Sequence, residues 1–175
     1  MDNIILGLLV LSNRTIYQLR DRINKGLNLM YSSSLGSMQA ALKKLLVSEY
    51  VTFAEDVENG KYKKTYFITE KGKQYFLKWV NAPLEQPNIK SPQLAKLYFM
   101  GFADKKARAE SVKQYLESLY IQHQALAAIC TEGENTKVPE EAQDILQFEL
   151  STAYYGRDLL QFNIDWFEKL LSQIK

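Results

Sequence analysis

The chain has 175 residues, of which 46% are hydrophobic and 24% charged, values typical of a globular protein that can fill a core. Cys130 and His123 are its only cysteine and histidine, and no ligand spacing, phosphate-binding glycine loop or dinucleotide fingerprint accompanies them. We therefore predict no metal site and no cofactor, and a protein that is not an enzyme. No apolar run approaches the roughly 20 residues that span a bilayer, and the first residues do not resemble a signal peptide, so we expect a cytoplasmic protein without a membrane partner.

The net charge of +2 is unevenly distributed along the chain. Residues 1–80 contain 12 Lys/Arg and 7 Asp/Glu, whereas residues 81–175 contain 10 and 13. This asymmetry favours contact of the first half with a polyanion. The excess is modest, however, and charge alone does not separate that interpretation from chance.

Three helices are predicted before the first strand. Asn3 to Leu11 is almost wholly apolar, which fits a buried helix or a strand. Thr15 can cap a second helix that ends near Lys25-Gly26. Serines at 32–34 precede a third helix, whose apolar stripe lies opposite Ser37, Gln39, Lys43 and Lys44; the stripe consists of Leu35, Met38, Ala41, Leu42, Leu45 and Leu46.

A hairpin and a fourth helix follow. Tyr50 to Phe53 and Tyr62 to Thr69 are predicted strands, separated by a turn at Glu58-Asn59-Gly60. In the second strand we expect an apolar face containing Tyr62, Thr65 or Tyr66, and Ile68, opposite Lys61, Lys63 and Lys64. Thr69 can cap a helix through Trp79. The order helix, helix, helix, strand, turn, strand, helix is that of a winged helix-turn-helix over residues 1–81.

The second half is predicted to be helical. Residues 82–92 hold three of the four prolines and should form a connector. Residues 93–175 should contain a short helix at 93–102, a long helix capped by Asp104 and running to about Thr131, a polar loop at 132–137, and a last helix that begins at Pro139. The predicted fold class is therefore mainly α with a small β-hairpin: an N-terminal winged helix-turn-helix and a C-terminal antiparallel helical dimerisation domain.

The last helix carries a broad, aromatic-rich apolar stripe. We predict that it forms a homodimer interface through Tyr155, Leu159, Phe162, Trp166 and Leu170. The alternative is that the stripe packs against the chain's own N-terminal domain.

Four motifs in order resemble one known family. The segment Ser34 to Leu46 contains S-L-G-S-M-Q-A-A-L-K-K-L, preceded by I-L-G-L-L at Ile5 to Leu9 and followed by G-K-Y-K-K-T-Y and I-T-E-K-G between Gly60 and Gly72. K-L-Y-F at Lys96 to Phe99 is the fourth. Together they resemble the PadR family of bacterial transcriptional regulators over nearly the whole chain. The family commonly has Tyr-Pro where this chain has Gln39-Ala40, His-Gly where it has Thr15-Ile16, and arginine where its wing has lysine, so the operator sequence is not predicted.

The candidate DNA contacts lie on the elements that a winged helix presents to a duplex. Gly36 allows close approach, Gln39 can pair with adenine, and the hydroxyl and lysine groups can contact phosphates. The predicted set is Tyr17, Ser34, Gly36, Ser37, Gln39, Lys43, Lys61, Lys63 and Lys64. Each has a simpler interpretation: a cap for Ser34, helix packing for Gly36, a solvated face for Gln39, a soluble hairpin edge for the lysines, and a core position for Tyr17.

The sequence thus predicts a regulator that binds double-stranded DNA as a homodimer on a near-palindromic operator, acting as a repressor. The family resemblance implies release by a small aromatic effector. Trp79, Phe99 and Trp166 are candidates to bind it, with Tyr98 and Phe102 nearby, although aromatic clusters are also common in cores. The competing hypothesis is a winged-helix module that binds proteins rather than a specific DNA sequence.

Overall fold

A computed structural model describes residues 1–24, 34–58, 61–84 and 92–174, without the side chains of Glu58 and Lys61. The predicted helix end at Lys25-Gly26, the Asn59-Gly60 turn and most of the predicted connector lie outside the described residues. The chain divides into two compact units, Met1–Gln86 and Pro87–Lys175. No helix within the described ranges combines the length and apolarity needed to cross a bilayer.

The described residues of the N-terminal unit form four helices and a three-stranded sheet. In chain order these are α1 (Asp2–Leu11), β1 (Arg14–Thr15), α2 (Ile16–Arg22), α3 (Leu35–Val47), β2 (Val51–Glu58), β3 (Lys61–Ile68) and α4 (Glu70–Val80). The sheet is antiparallel in the order β1-β3-β2. The prediction of an N-terminal winged helix-turn-helix is confirmed. The apolar segment that opens the chain is a helix rather than a strand.

Local hydrogen bonds explain where these helices begin. Thr15 accepts from the Gln18 amide and its own amide donates to the Gln18 side chain, which forms a capping box. The hydroxyl oxygens of Ser34 and Thr69 accept from the amides of Ser37 and Gly72. The three caps predicted for this unit are therefore present.

One core holds this unit together. Ile5, Leu6 and Leu9 of α1 meet Leu19 and Ile23 around α2, and the stripe of α3 fills the space against Val51 and Tyr66 of the sheet. The buried residues of α3 are Met38, Ala41, Leu42 and Leu45. Burial of such side chains contributes about 1.5–3 kcal/mol each, so the core fixes which face of α3 turns outward.

The wing differs from the prediction in three respects. Lys64 lies on the same strand face as Tyr62 and Tyr66 and not opposite them, because residues two apart along β3 share a face. β2 continues to Glu58, well beyond the predicted end at Phe53, so the acidic residues that follow Phe53 lie in a strand. Tyr62, which was placed on an apolar face, is 87% exposed. Tyr62 does share a strand face with the buried Tyr66, but it lies near the turn, where the hairpin extends beyond the core.

The C-terminal unit is built on two long helices. α5 (Pro92–Phe99) and a 3₁₀ turn (Met100–Phe102) precede α6 (Lys105–Glu134); a second 3₁₀ turn (Glu140–Ala142) precedes α7 (Gln143–Gln173). Val112 and Leu116 pack with Ile164 and Phe167, while Leu126 and Cys130 pack with Ala153. Early residues of α6 thus meet late residues of α7, which makes the pair antiparallel, as predicted.

Three details of this unit correct the sequence analysis. Asp104 stands at the N-cap of α6 but makes no side-chain capping hydrogen bond. α6 continues to Glu134, into the segment predicted to be a loop. Pro139 precedes a 3₁₀ turn instead of opening the last α-helix.

Two tyrosines form hydrogen bonds between α6 and α7. The hydroxyl groups of Tyr120 and Tyr154 donate to Glu168 and Glu134 respectively, and each carboxylate raises the pKa of its tyrosine.

Gly72 is a position in the N-terminal unit where a side chain has no room. An added Cβ would lie 2.0 Å from the Tyr50 carbonyl oxygen and 3.1 Å from Ile68 Cγ1. We predict that Gly72→Ala lowers the free energy of unfolding by at least about 1–3 kcal/mol, the usual cost of overpacking, as measured by chemical denaturation. Gly36→Ala is the control, since its Cβ would come no nearer than 4.0 Å to Ser34 Oγ. Equal denaturation midpoints for the two variants would contradict this account.

Candidate nucleic-acid interface

The outward face of α3 presents polar and basic side chains. Gln39 and Lys43 lie one turn apart on this helix, and both are exposed. The segment from Ser34 to Val47 contains two lysines and no carboxylate, so the exposed face of α3 is cationic. A glutamine amide and a nearby ammonium group are suited to an adenine edge and a phosphate respectively.

The start of α3 is exposed and its two serines differ in hydrogen-bonding capacity. Ser34 Oγ accepts from the Ser37 amide at 3.1 Å, whereas Ser37 Oγ donates to the Ser34 carbonyl at 2.9 Å. A hydroxyl group has one proton to donate. Ser34 therefore retains its proton for a phosphate oxygen, while Ser37 would first have to break its bond to the backbone. Gly36 is exposed beside them, and a Cβ added there would come no nearer than 4.0 Å to Ser34 Oγ.

The end of α3 is fixed by its connection to the sheet. The amides of Glu49 and Tyr50 donate to the carbonyls of Leu46 and Leu45, each at 3.0 Å, and Glu49 has a φ of 60°. This is a Schellman motif with glutamate where glycine is usual. The Glu49 carbonyl accepts from Thr69 Oγ1 at 2.7 Å, so the end of α3 is joined directly to the start of α4.

Lys44 has a structural role, in contrast to Lys43. Its ammonium group lies 2.7 Å from Asp2 Oδ2 on α1. The hydrogen bond and the charge of Asp2 raise the pKa of Lys44, which stays protonated at neutral pH. The ion pair links α3 to α1 and leaves Lys43 as the lysine of this helix on the candidate interface.

Tyr17 on α2 is 71% exposed, which excludes the core position considered for it. It lines a shallow cavity of about 510 Å³ together with Arg14, Gln18, Asp21 and Arg22. Arg14 pairs in β1 with Tyr66 of the wing strand β3, and its Nε is buried with no hydrogen-bond partner among the described residues. The sequence analysis missed Arg14, because a two-residue strand has no hydrophobic periodicity to reveal it.

Each wing lysine has an acidic residue as its register partner on the opposite strand. The register places Lys64 opposite Glu55, Lys63 opposite Asp56 and Lys61 opposite Glu58, so the two strands have no net formal charge. Lys64 Nζ lies 3.0 Å from Glu55 Oε1. The sequence analysis considered these lysines alone, because it ended β2 before the three acids.

The wing also exposes apolar groups. Val57 and Tyr62 are register partners near the turn and are 57% and 87% exposed. An apolar pair at this place can contact deoxyribose or an apolar patch on a protein.

The residues predicted for the dimer interface lie along α7 at intervals of four, three, four and four residues, which places them on one side of the helix. Tyr155, Leu159, Phe162 and Trp166 are exposed. Leu170 is half-buried and packs against the core of the C-terminal unit. Phe148, which the predicted interface did not include, lies one heptad before Tyr155 and is also exposed.

The effector candidates are partly exposed aromatic side chains. Trp79, Phe99 and Trp166 have between 42% and 60% of their surface exposed, and each contacts a neighbouring ring, Phe76, Tyr98 and Phe167 respectively. A groove of about 690 Å³ in the C-terminal unit is lined by other residues, among them Val138, Leu150 and Tyr154. Among the described residues, no cluster of three or more His, Cys, Asp or Glu could hold a metal ion.

Comparison with known proteins shows similarity of fold. No protein-family model and no curated protein matches the sequence. Bacillus subtilis PadR in complex with operator DNA superposes with a TM-score of 0.83 at 20% identity, covering 99% of this chain and 98% of that one. The same protein in complex with p-coumaric acid superposes with a TM-score of 0.76.

Two further structures are similar over nearly the whole chain. The PadR-like transcriptional regulator BC1756 from Bacillus cereus has a TM-score of 0.76 at 18% identity, covering 99% of this chain and 95% of that one. The Vibrio cholerae virulence activator AphA has a TM-score of 0.75 at 17% identity, covering 98% and 96%. This chain therefore has the fold of the PadR-type transcriptional regulators, which confirms the architecture that the sequence resemblance implied.

Proposed function

We propose that this chain is a sequence-specific DNA-binding transcriptional regulator. The observation that carries the proposal is the exposed face of α3, where Gln39 and Lys43 lie opposite the stripe buried in the core. Ser34, Gly36 and Ser37 at the start of α3 and Tyr17 on α2 extend this surface. The likeness to a regulator seen with operator DNA supports it. In this proposal Gln39 reads a base and the other groups contact the backbone.

We propose further that the regulator is a homodimer, paired through the exposed stripe of α7, on a near-palindromic operator. Two recognition helices would then enter successive major grooves about 34 Å apart. A dimer on its operator excludes other proteins from that stretch of DNA, which is the basis for proposing a repressor. Location in the cytoplasm, where the DNA of a bacterial cell lies, follows from the same proposal.

The test of DNA binding is selection of bound fragments from random duplex DNA. We predict a palindromic consensus whose half-sites are one helical turn apart. Gln39→Ala should relax the preference at one position of each half-site, at a cost of about 1–3 kcal/mol. Gln74→Ala on α4 is the matched control, because Gln74 is also exposed but lies on another helix. Recovery of no consensus, or equal weakening by Gln39→Ala on every sequence, would contradict base reading.

The dimer is tested by adding a charge to the stripe of α7. Phe162 is 62% exposed, so Phe162→Glu should leave the chain folded while making burial against a second copy unfavourable. We predict that the wild-type protein sediments at twice the mass of one chain and that the variant shifts to a single chain at micromolar concentration. Ser172→Glu adds the same charge on another side of α7. A monomeric wild type, or a dimeric Phe162→Glu, would refute this interface.

We also propose that a small aromatic compound releases the regulator from DNA, and that Trp79 of the N-terminal unit and Phe99 and Trp166 of the C-terminal unit are separate candidates to contact it. The support is the partial exposure of these rings and the similarity to a protein seen with p-coumaric acid. Such a compound must bind the DNA-incompetent arrangement more tightly to shift the population.

Calorimetric titration with p-coumaric acid tests this site. We predict saturable binding, weakened up to about tenfold by Trp166→Ala or Phe99→Ala because ring stacking is lost. An aliphatic carboxylic acid of similar size is the control ligand and should bind far more weakly. Unchanged affinity in Trp79→Ala, Phe99→Ala and Trp166→Ala would place any effector elsewhere.

A second candidate function is a winged-helix module that binds proteins. The observation that favours it is the wing, which has no net charge on its strands and exposes Val57 and Tyr62. This candidate predicts no salt-dependent binding to duplex DNA, whereas the first predicts affinity that falls steeply with salt concentration.

A further inference from the structure

Lys64 is held on the wing by two groups of the opposite strand. Its ammonium nitrogen lies 3.0 Å from Glu55 Oε1 and 3.9 Å from the centre of the Phe53 ring. Phe53 and Glu55 are two residues apart on β2 and therefore lie on one face of the sheet. Lys64 of β3 lies on that same face, because it is the register partner of Glu55. The carboxylate supplies ion pairing and the ring supplies a cation–π contact.

This arrangement changes what the wing offers to a polyanion. If Lys64 approached a phosphate while still paired, the Glu55 carboxylate would come with it and repel the same phosphate. If Lys64 left Glu55, the protein would lose an existing ion pair and leave a carboxylate near the DNA. Lys43 on α3 is exposed and belongs to no ion pair among the described residues, in contrast to Lys44, which is paired with Asp2. The two halves of the candidate interface therefore differ in the net charge that they bring to DNA.

We propose that Glu55 is a positioning residue that limits DNA affinity by retaining Lys64 on the face of the wing. The proposal rests on the DNA-binding function proposed above and identifies a determinant of its specificity. Binding to non-specific DNA is almost wholly electrostatic, whereas a specific site adds contacts to bases. A wing whose lysine is neutralised within the hairpin lowers non-specific affinity more than specific affinity, and so raises the ratio of the two.

The experiment measures affinity for a mixed-sequence duplex by fluorescence anisotropy over a range of KCl concentrations, using the full chain. For Glu55→Gln we expect binding tighter by about three- to tenfold at low salt, and a plot of log K against log salt that is steeper by about 0.9, the value for one additional phosphate contact. Glu70→Gln on α4 removes an equal charge from an exposed position outside the wing, and it should change neither quantity.

A second background shows whether Glu55 acts through Lys64. In Lys64→Gln, the further change Glu55→Gln should leave the affinity and the slope unaltered. An equal gain in both backgrounds would overturn the proposal in favour of general repulsion, as would an unchanged slope in the wild-type background. Thermal denaturation verifies that each variant is folded, which is expected because both side chains are substantially exposed.

The outcomes separate this proposal from the proposed function. If wild type binds duplex DNA and Glu55→Gln binds it equally well, only the role of Glu55 is overturned. If neither folded protein binds any duplex at the lowest salt concentration, DNA binding itself is refuted and the role of Glu55 with it.

Discussion

The orientation of α3 is the constraint on which the candidate interface depends. Met38, Ala41, Leu42 and Leu45 are buried in a core shared with α1, α2 and the sheet, and each residue along a helix turns by about 100°. A rotation by one residue would expose this stripe and bury Lys43, at a cost of several kcal/mol. The Ser34 cap and the Schellman motif at Glu49 fix both ends. The outward position of Gln39 is therefore a consequence of packing, independent of any partner.

The net charge of the first half of the chain does not show which of its lysines have acidic partners. The two lysines of α3 have different environments, since Lys44 forms an ion pair with Asp2 and Lys43 is exposed. The cations of β3 each face an acid of β2 in the register. A basic excess in the first half of the chain thus does not translate into an equally basic surface at the wing. Affinity for a polyanion should come mainly from α3 and from the arginines near Tyr17, with the wing contributing less than its three lysines suggest.

Sequence reasoning succeeded where a short-range signal is sufficient. The Thr15, Ser34 and Thr69 caps and the helical stripe of α3 follow from local hydrogen bonding and from spacing, and the winged-helix order follows from them. It failed at the local cap predicted for Asp104, and it failed where the deciding partner is distant in sequence. The strand pairing of Arg14 with Tyr66, and of Glu55 with Lys64, depends on register that no single segment reveals. Tyr62 lies on the same strand face as the buried Tyr66, as its spacing predicts. It is nevertheless exposed, because the core does not extend to that end of the hairpin.

The surface of α7 extends the same reasoning to the rest of the chain. Ala153, Ile164 and Phe167 of this helix are buried. They form the side of α7 that packs against α6. Tyr155, Leu159, Phe162 and Trp166 form a second apolar side that the α6–α7 pair leaves exposed. An exposed stripe of large apolar side chains commonly marks an interaction surface. A single recognition helix reads only a few base pairs, so a regulator of this size gains specificity chiefly by doubling its contacts. The stripe on α7 and the exposed face of α3 therefore support one proposal. In that proposal, the α7 stripe joins two copies of the chain, and the dimer presents two copies of α3 to the DNA.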